Sequence, residues 1–148
     1  MAWVFYGKYK EKLLTQNDTV DWDDNSSTTV KLALVTSSYT PAVDTHDFWN
    51  DVSANEVSGT NYTAGGNAIA NKAVSTPASG TITVDGDDPT TWSQDASGFS
   101  NARYAILYKD TGNTATSPLI AYYDMSSDQG NVAGDLTLSF SPNIFTVS

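Results

Sequence analysis

His46 is the only histidine in the sequence, and histidine is the side chain best suited to act as a general base near neutral pH. A Ser-His-Asp triad would have to be built on it, but the sequence contains no Gly-x-Ser-x-Gly segment or other nucleophile signature. An isolated histidine is seldom catalytic without partners. His46 is therefore interpreted as a surface residue or as a residue in the first turn of a helix.

Carboxylates form two dense groups, Asp21, Asp23 and Asp24 in the first, and Asp85, Asp87 and Asp88 in the second. The second group resembles the start of a calcium loop, but the remaining ligand spacing and the terminal Glu of an EF-hand are missing. Both groups are interpreted as solvated turn acids. Paired carboxylates could also serve a glycosidase, although nearly every soluble protein contains such pairs. The sequence therefore predicts no catalytic, cofactor-binding or metal-binding residue, and we do not expect an enzyme.

Two further features could carry binding chemistry. Trp3, Trp22, Trp49 and Trp92 could form a sugar-stacking platform, as in a carbohydrate-binding module, but core packing explains Trp49 and Trp92 at least as well. The pair Gly65-Gly66 lacks a strand-to-helix switch and a neighbouring Lys-Ser or Lys-Thr pair. It is predicted to be a turn and not a phosphate-binding loop.

Composition narrows the class of protein. The chain has 148 residues, a net charge of −10 and no cysteine, so its stability must come from packing, and one domain spanning residues 1–148 is expected. An acidic surface without a basic patch argues against nucleic acid as a partner. The sequence shows neither a secretory signal nor an apolar stretch long enough to span a bilayer. We therefore expect a soluble product made in the cytoplasm, with no membrane partner.

Alternation of apolar and polar residues predicts a mainly β fold. In Thr28–Thr36 the residues Val30, Leu32 and Leu34 share one face, which is predicted to be the only core face. Similar patterns predict strands in three further segments: 81–85, with Ile82 and Val84 inward; 136–140, with Leu136, Leu138 and Phe140 inward; and 144–147. The segments 102–109 and 118–124 are apolar on both faces and are predicted to form a hairpin. The expected architecture is a single-domain antiparallel β-sandwich or barrel-like fold.

One or two short helices are also expected. The first would begin with Asp44 or Thr45 as N-cap and place Phe48, Trp49 and Val52 on one face. The second would be an N-terminal amphipathic helix that carries Tyr6, Tyr9, Lys10, Leu13 and Leu14.

Large apolar side chains are concentrated at the N-terminus, where termini are usually polar and poorly ordered. They are Trp3, Val4, Phe5, Tyr6 and Tyr9. Two interpretations stay open. The residues complete the core of their own chain, or residues 1–9 form an arm that docks on a neighbouring subunit or on a capsid through aromatic anchors.

Several segments together resemble a family of small structural proteins of tailed bacteriophages. They are Val30-Lys-Leu-Ala-Leu-Val-Thr-Ser-Ser-Tyr-Thr-Pro, Asp44-Thr-His-Asp-Phe, Asn55-Glu-Val-Ser-Gly-Thr-Asn-Tyr-Thr-Ala-Gly-Gly, Ala102-Arg-Tyr-Ala-Ile-Leu-Tyr-Lys-Asp-Thr-Gly and Ser117-Pro-Leu-Ile-Ala-Tyr. The likeness runs in the same order from about Tyr6 to the C-terminus. It supplies no catalytic residues.

The resemblance implies a virion protein. Small acidic β-domains of phages commonly act as capsid decoration (cement) proteins, usually trimers, which bind the major capsid protein and join neighbouring capsomers. A tail component such as a fibre, baseplate or connector-associated subunit is the first alternative. A carbohydrate-binding adhesion module is a further one. Both the function and the location in the virion are expectations from family and fold class, not deductions from a site.

Overall fold

A computed structural model describes all of residues 1–148 and is mainly β-strand. The strands are β1 (Val4–Phe5), β2 (Thr29–Thr36), β3 (Asn67–Ala68), β4 (Ala73–Val74), β5 (Ile82–Asp85), β6 (Ala102–Asp110), β7 (Leu119–Gln129) and β8 (Phe145–Val147). One α-helix, α1 (Gly7–Thr15), and three short 3-10 turns (Trp49–Asp51, Ser53–Asn55 and Thr114–Thr116) complete the structure. The predicted mainly β, antiparallel fold is confirmed, and the two sheets are compatible with a small β-sandwich.

The larger sheet has the strand order β1-β7-β6-β2-β3, and all of its pairs are antiparallel. The predicted hairpin is confirmed as β6 and β7, in which Ile106 lies opposite Tyr122 and Leu107 opposite Ala121. β7 extends five residues beyond the predicted end, to Gln129. The smaller sheet has the order β4-β5-β8.

The prediction that β2 has a single core face is wrong. Both Leu34 and Val35 are fully buried although they point to opposite faces. One face of the larger sheet packs on the smaller sheet, where the ring of Phe5 lies 4.9 Å from that of Phe145 in β8. The other face is covered by residues 39–57, where Trp49 stacks on Tyr108 at 4.5 Å. β2 is thus buried on both sides, as is typical of a central strand between two layers.

The prediction of a strand at 136–140 is wrong, although its inward residues Leu136, Leu138 and Phe140 are indeed buried. Only Leu136 pairs with another extended segment, through two backbone hydrogen bonds with Trp92. Alternation therefore predicted burial correctly, but the segment lacks a continuous partner strand. In the smaller sheet, Val84 is buried as predicted, while Ile82 is only half-buried.

The helix predicted from Asp44 or Thr45 is wrong, because the segment forms two short 3-10 turns. Its backbone groups are already used elsewhere: Leu119 N–H donates to the Asp47 carbonyl, and Trp49 N–H donates to the Ser117 carbonyl. Phe48 is extended and forms a bridge with Pro118. These bonds to the start of β7 occupy the Asp47 carbonyl and the Trp49 N–H, so neither group is available to a regular α-helix.

The predicted N-terminal helix is confirmed as α1, but its buried face differs from the expected one. Tyr9 and Lys12 are buried, whereas Leu13 and Leu14 are exposed. Lys12 is held by an ion pair with Asp47, and its ammonium group lies 4.1 Å from the ring centre of Phe48. With nine residues, α1 is too short to span a bilayer.

Candidate interaction surface

The N-terminal residues are part of the larger sheet. Val4 and Phe5 pair with Tyr122 and Ala121 of β7, and the Tyr6 N–H donates to the Ile120 carbonyl at 3.1 Å. This arrangement matches the first of the two interpretations, that the residues complete the core of their own chain.

Burial separates the five N-terminal residues into two groups. Tyr6 and Tyr9 are buried, so a detached arm is wrong for them. Trp3 and Phe5 are half-buried against the core, and Val4 is exposed. A contact of Trp3, Val4 and Phe5 with a partner stays a prediction.

Tyr6 anchors this segment through a chain of hydrogen bonds. Its hydroxyl lies 2.7 Å from the Tyr39 hydroxyl, which in turn lies 2.9 Å from Nδ1 of His46. Burial raises the pKa of Tyr6 far above its usual range and raises the pKa of Tyr39 to about 12. Both hydroxyls therefore stay protonated near neutral pH. His46 lies in a loop and not in a helix, and its role here is to bond Tyr39.

An apolar groove of about 220 Å³ opens between α1 and β8, beside the N-terminal strand. We call it the terminal groove; its lining residues are Phe5, Tyr9, Lys10, Leu13, Phe145 and Val147. Leu13 is 48% exposed and Val147 is 54% exposed, and the next helical residue, Leu14, is 88% exposed. The groove is therefore an unfilled apolar surface built on regular elements.

The exposure of the leucines follows from how α1 sits on the sheet. Successive helical residues are about 100° apart, so Leu14 lies nearly opposite the buried residues Tyr9 and Lys12. The ion pair of Lys12 with Asp47 fixes this rotation and leaves part of the apolar arc of the helix uncovered. The amphipathic pattern predicted the helix, but it did not predict which of the apolar helical residues are buried against the rest of the protein.

A second hollow of about 280 Å³, lined by both polar and apolar residues, adjoins the groove and shares Phe5 and Phe145 with it. Its other apolar lining residues are Met1, Trp3, Pro142 and Ile144. The groove, the hollow and Leu14 together are called the terminal surface below. Both ends of the chain contribute to it, so no local sequence motif could have revealed it.

The largest cleft, of about 390 Å³, is polar and contains two carboxylates that the sequence did not single out. Burial raises the pKa of Glu56, whose Oε1 accepts hydrogen bonds from the Tyr62 hydroxyl and the Gly65 N–H. Partial burial opposes ionisation of Asp110 as well, but its bonds to Lys31 and to the Gly112 N–H lower its pKa below the usual value.

Carboxylates with opposite pKa shifts can divide acid and base roles between them. In this cleft, however, each carboxylate already binds groups of its own chain. The Glu56 carboxylate holds the turn at Gly65-Gly66, where both glycines have positive φ. The turn predicted there is confirmed, and the cleft is best explained as a hydrogen-bonded support for it.

The two aspartate groups act mainly as local hydrogen-bond acceptors. Asp24 Oδ1 accepts bonds from the N–H groups of Ser26 and Ser27, and these bonds hold the pKa of Asp24 well below its usual range. Asp88 accepts a bond from the Phe140 N–H at 2.7 Å and so joins two loops. No group of three His, Cys, Asp or Glu side chains is placed to hold a metal ion.

The tryptophans do not form a sugar-stacking platform. Trp22, Trp49 and Trp92 are buried in the core, as predicted for the last two, and Trp3 packs against Tyr123 and Phe140. A stacking platform needs several exposed ring faces, but Trp22, Trp49 and Trp92 have none and Trp3 is half-buried.

Comparison of the chain with protein-family models, with curated proteins and with solved structures found no match.

Proposed function

We propose that this chain is a structural protein of a tailed-bacteriophage virion, namely a capsid decoration (cement) protein. In this role it binds the major capsid protein, stabilises the head shell and works as a homo-oligomer, a trimer in the arrangement that the resemblance implies. The observation that carries the proposal is the terminal surface, an apolar region with several exposed large side chains on an otherwise acidic chain. Contiguous apolar regions on soluble proteins commonly mark interaction sites.

The terminal surface is held by regular structure. β1 is paired with β7, and the Gly7 N–H at the start of α1 donates to the Val43 carbonyl at 2.7 Å. Phe5 and Tyr9 stack at 5.9 Å, and Phe145 packs edge-on against Phe5. Because these side chains are already ordered, little conformational entropy is lost when a partner covers them.

On a symmetric capsid shell, many copies of one weak contact act together. A decoration subunit binds at many equivalent positions, so an oligomer that contacts several capsomers gains avidity without a large interface on each copy. Such a subunit needs rigidity, solubility and an apolar contact surface. The two packed sheets, the net charge of −10 and the terminal surface meet these needs.

Co-sedimentation with phage heads tests the proposal. Purified chain is added to heads that lack it, and we expect saturable binding in many copies per head. Leu14→Glu places a charge at an 88% exposed position of the terminal surface, outside the groove itself, and should weaken binding about thirtyfold, as expected for a central interface residue. Thr90→Glu adds the same charge at an exposed loop residue as a matched control and should bind like the original chain.

Two results would count against the proposal. Absence of binding to heads would contradict a decoration role. Binding to tails alone would instead assign the chain to the fibre, baseplate or connector class.

A further inference from the structure

The terminal groove is apolar except for one charge. Lys10 lines the groove, and no carboxylate lies within 4 Å of its ammonium group. The neighbouring Lys8 is paired with Glu11 at 2.7 Å, and Lys12 is paired with Asp47. A partner segment that fits this groove therefore carries an apolar side chain to contact the lining and a nearby carboxylate to pair with Lys10.

The chain itself carries such a group at another place. Five large hydrophobic residues are exposed: Val4, Leu13, Leu14, Val132 and Val147. Four of them belong to the terminal elements, and Val132 alone lies in a distant loop, residues 130–135, which we call the Val132 loop. Asp128 and Asp135 lie on either side of Val132 in sequence and both are exposed, and Asp135 Oδ1 also accepts the Gln94 N–H at 2.7 Å.

The Val132 loop is held rigidly by its neighbour Asn131, which is fully buried. The Asn131 side-chain amide donates to the carbonyls of Thr60 and Ser93 at 3.1 and 2.8 Å. Its Oδ1 accepts the Phe99 N–H at 2.9 Å. The loop thus presents an apolar side chain, 37% exposed, on a fixed backbone.

The Val132 loop cannot reach the groove of its own chain. β1 pairs with β7 at Ala121 and Tyr122, whereas the loop follows the far end of that strand at Gln129. Seven residues of extended chain separate Tyr122 from Gln129 and span roughly 20 Å or more. The two surfaces therefore lie at opposite ends of one strand, and only a second molecule can join them.

We infer that the terminal groove of one molecule receives the Val132 loop of a second copy of this chain, with Lys10 facing the carboxylates that flank the loop. The charges favour this head-to-tail contact, because Lys10 is the one lysine of α1 with no carboxylate within 4 Å, while Asp128 and Asp135 lie on either side of Val132. A groove-to-groove contact would instead oppose the two Lys10 residues. Head-to-tail contacts close into rings when the rotation permits, so this contact is compatible with a trimer. The inference rests on the proposed role as a homo-oligomeric virion protein.

Sedimentation velocity of single variants and of their mixture tests the inference. Leu13→Glu alters only the groove and Val132→Glu alters only the loop, and both change exposed residues, so the fold should survive. Each variant alone should show a dissociation constant about thirtyfold weaker than that of the original chain. In a mixture, the intact groove of the Val132→Glu molecule can still receive the intact loop of the Leu13→Glu molecule. The mixture should therefore form a one-to-one dimer, which neither variant forms alone.

Further measurements separate loss of the contact from loss of the fold. Thr90→Glu should associate like the original chain, and circular dichroism should show that every variant is folded. If Leu13→Glu failed to fold, Val147→Glu, at a residue 54% exposed, would replace it as the groove variant. Raising the salt concentration should weaken association, because the contact of Lys10 with the carboxylates is screened.

Three outcomes would overturn the inference: an original chain that stays monomeric, variants that associate normally, or variants that are monomeric both alone and in mixture. Head binding is a separate readout. If the variants complement each other but the chain does not bind heads, the inference stands and the proposed function is refuted. If the chain binds heads but the variants do not complement each other, the proposed function stands and the inference is refuted.

Discussion

Ile106→Ala is expected to destabilise the chain strongly, because Ile106 is fully buried in the central strand β6. It lies opposite Ala33 of β2 on one side and opposite Tyr122 of β7 on the other. The substitution removes three carbon atoms, and each contributes about 0.8 kcal/mol of burial. The residual cavity adds roughly 1 kcal/mol, since strands on both sides limit collapse. The free energy of unfolding should therefore fall by about 3–4 kcal/mol.

Urea denaturation followed by tryptophan fluorescence measures this loss. With a denaturant dependence of roughly 2 kcal/mol per molar, the midpoint should fall by about 1.5–2 M. Leu14→Ala is the matched control: it removes a similar side chain from a position that is 88% exposed and should change stability by less than about 0.5 kcal/mol. An unchanged midpoint for Ile106→Ala, or equal shifts for the two variants, would refute the packing described for β6.

Three further predictions concern other parts of the chain. Asn131→Ala should lower the free energy of unfolding by about 2 kcal/mol in urea titrations, because it leaves the buried Phe99 N–H without a partner and removes the bonds to the Thr60 and Ser93 carbonyls; a loss below about 0.5 kcal/mol would contradict this network. Because burial raises the pKa of Glu56, the folded chain holds that proton more tightly than the unfolded chain, and stability is lost as pH rises through the raised pKa. Glu56→Gln should therefore be more stable than the original chain at pH 7, with the difference vanishing below about pH 4 in thermal melts, and a less stable variant at pH 7 would show the sign to be wrong. Deletion of residues 1–5 removes β1 and the ring of Phe5 from the core, so the melting temperature should fall clearly, whereas a detached arm would leave it unchanged.

Local patterns in the sequence were sufficient for the features that depend on neighbouring residues. The apolar runs that became β6 and β7 predicted the central hairpin. Leu136 and Phe140 were correctly predicted to be buried by alternation alone. Alternation did not predict that residues 136–140 lack a continuous partner strand, because strand pairing depends on distant parts of the chain that local sequence cannot specify.

Features that depend on distant contacts were not predictable. Propensity favoured a helix near Trp49, but backbone bonds from that segment to the start of β7 imposed short 3-10 turns. The rotation of α1 depends on the ion pair of Lys12 with Asp47, which are 35 residues apart. The terminal groove also requires β8 to lie beside the helix, which only the folded structure reveals.

Immunoelectron microscopy of phage virions tests the proposed decoration role most directly. An antibody against the folded chain should label the heads of intact virions densely and evenly, because a decoration protein occupies every equivalent position on the shell. Purified virions without the chain, or with label confined to the tail, would contradict the assignment as a capsid decoration protein.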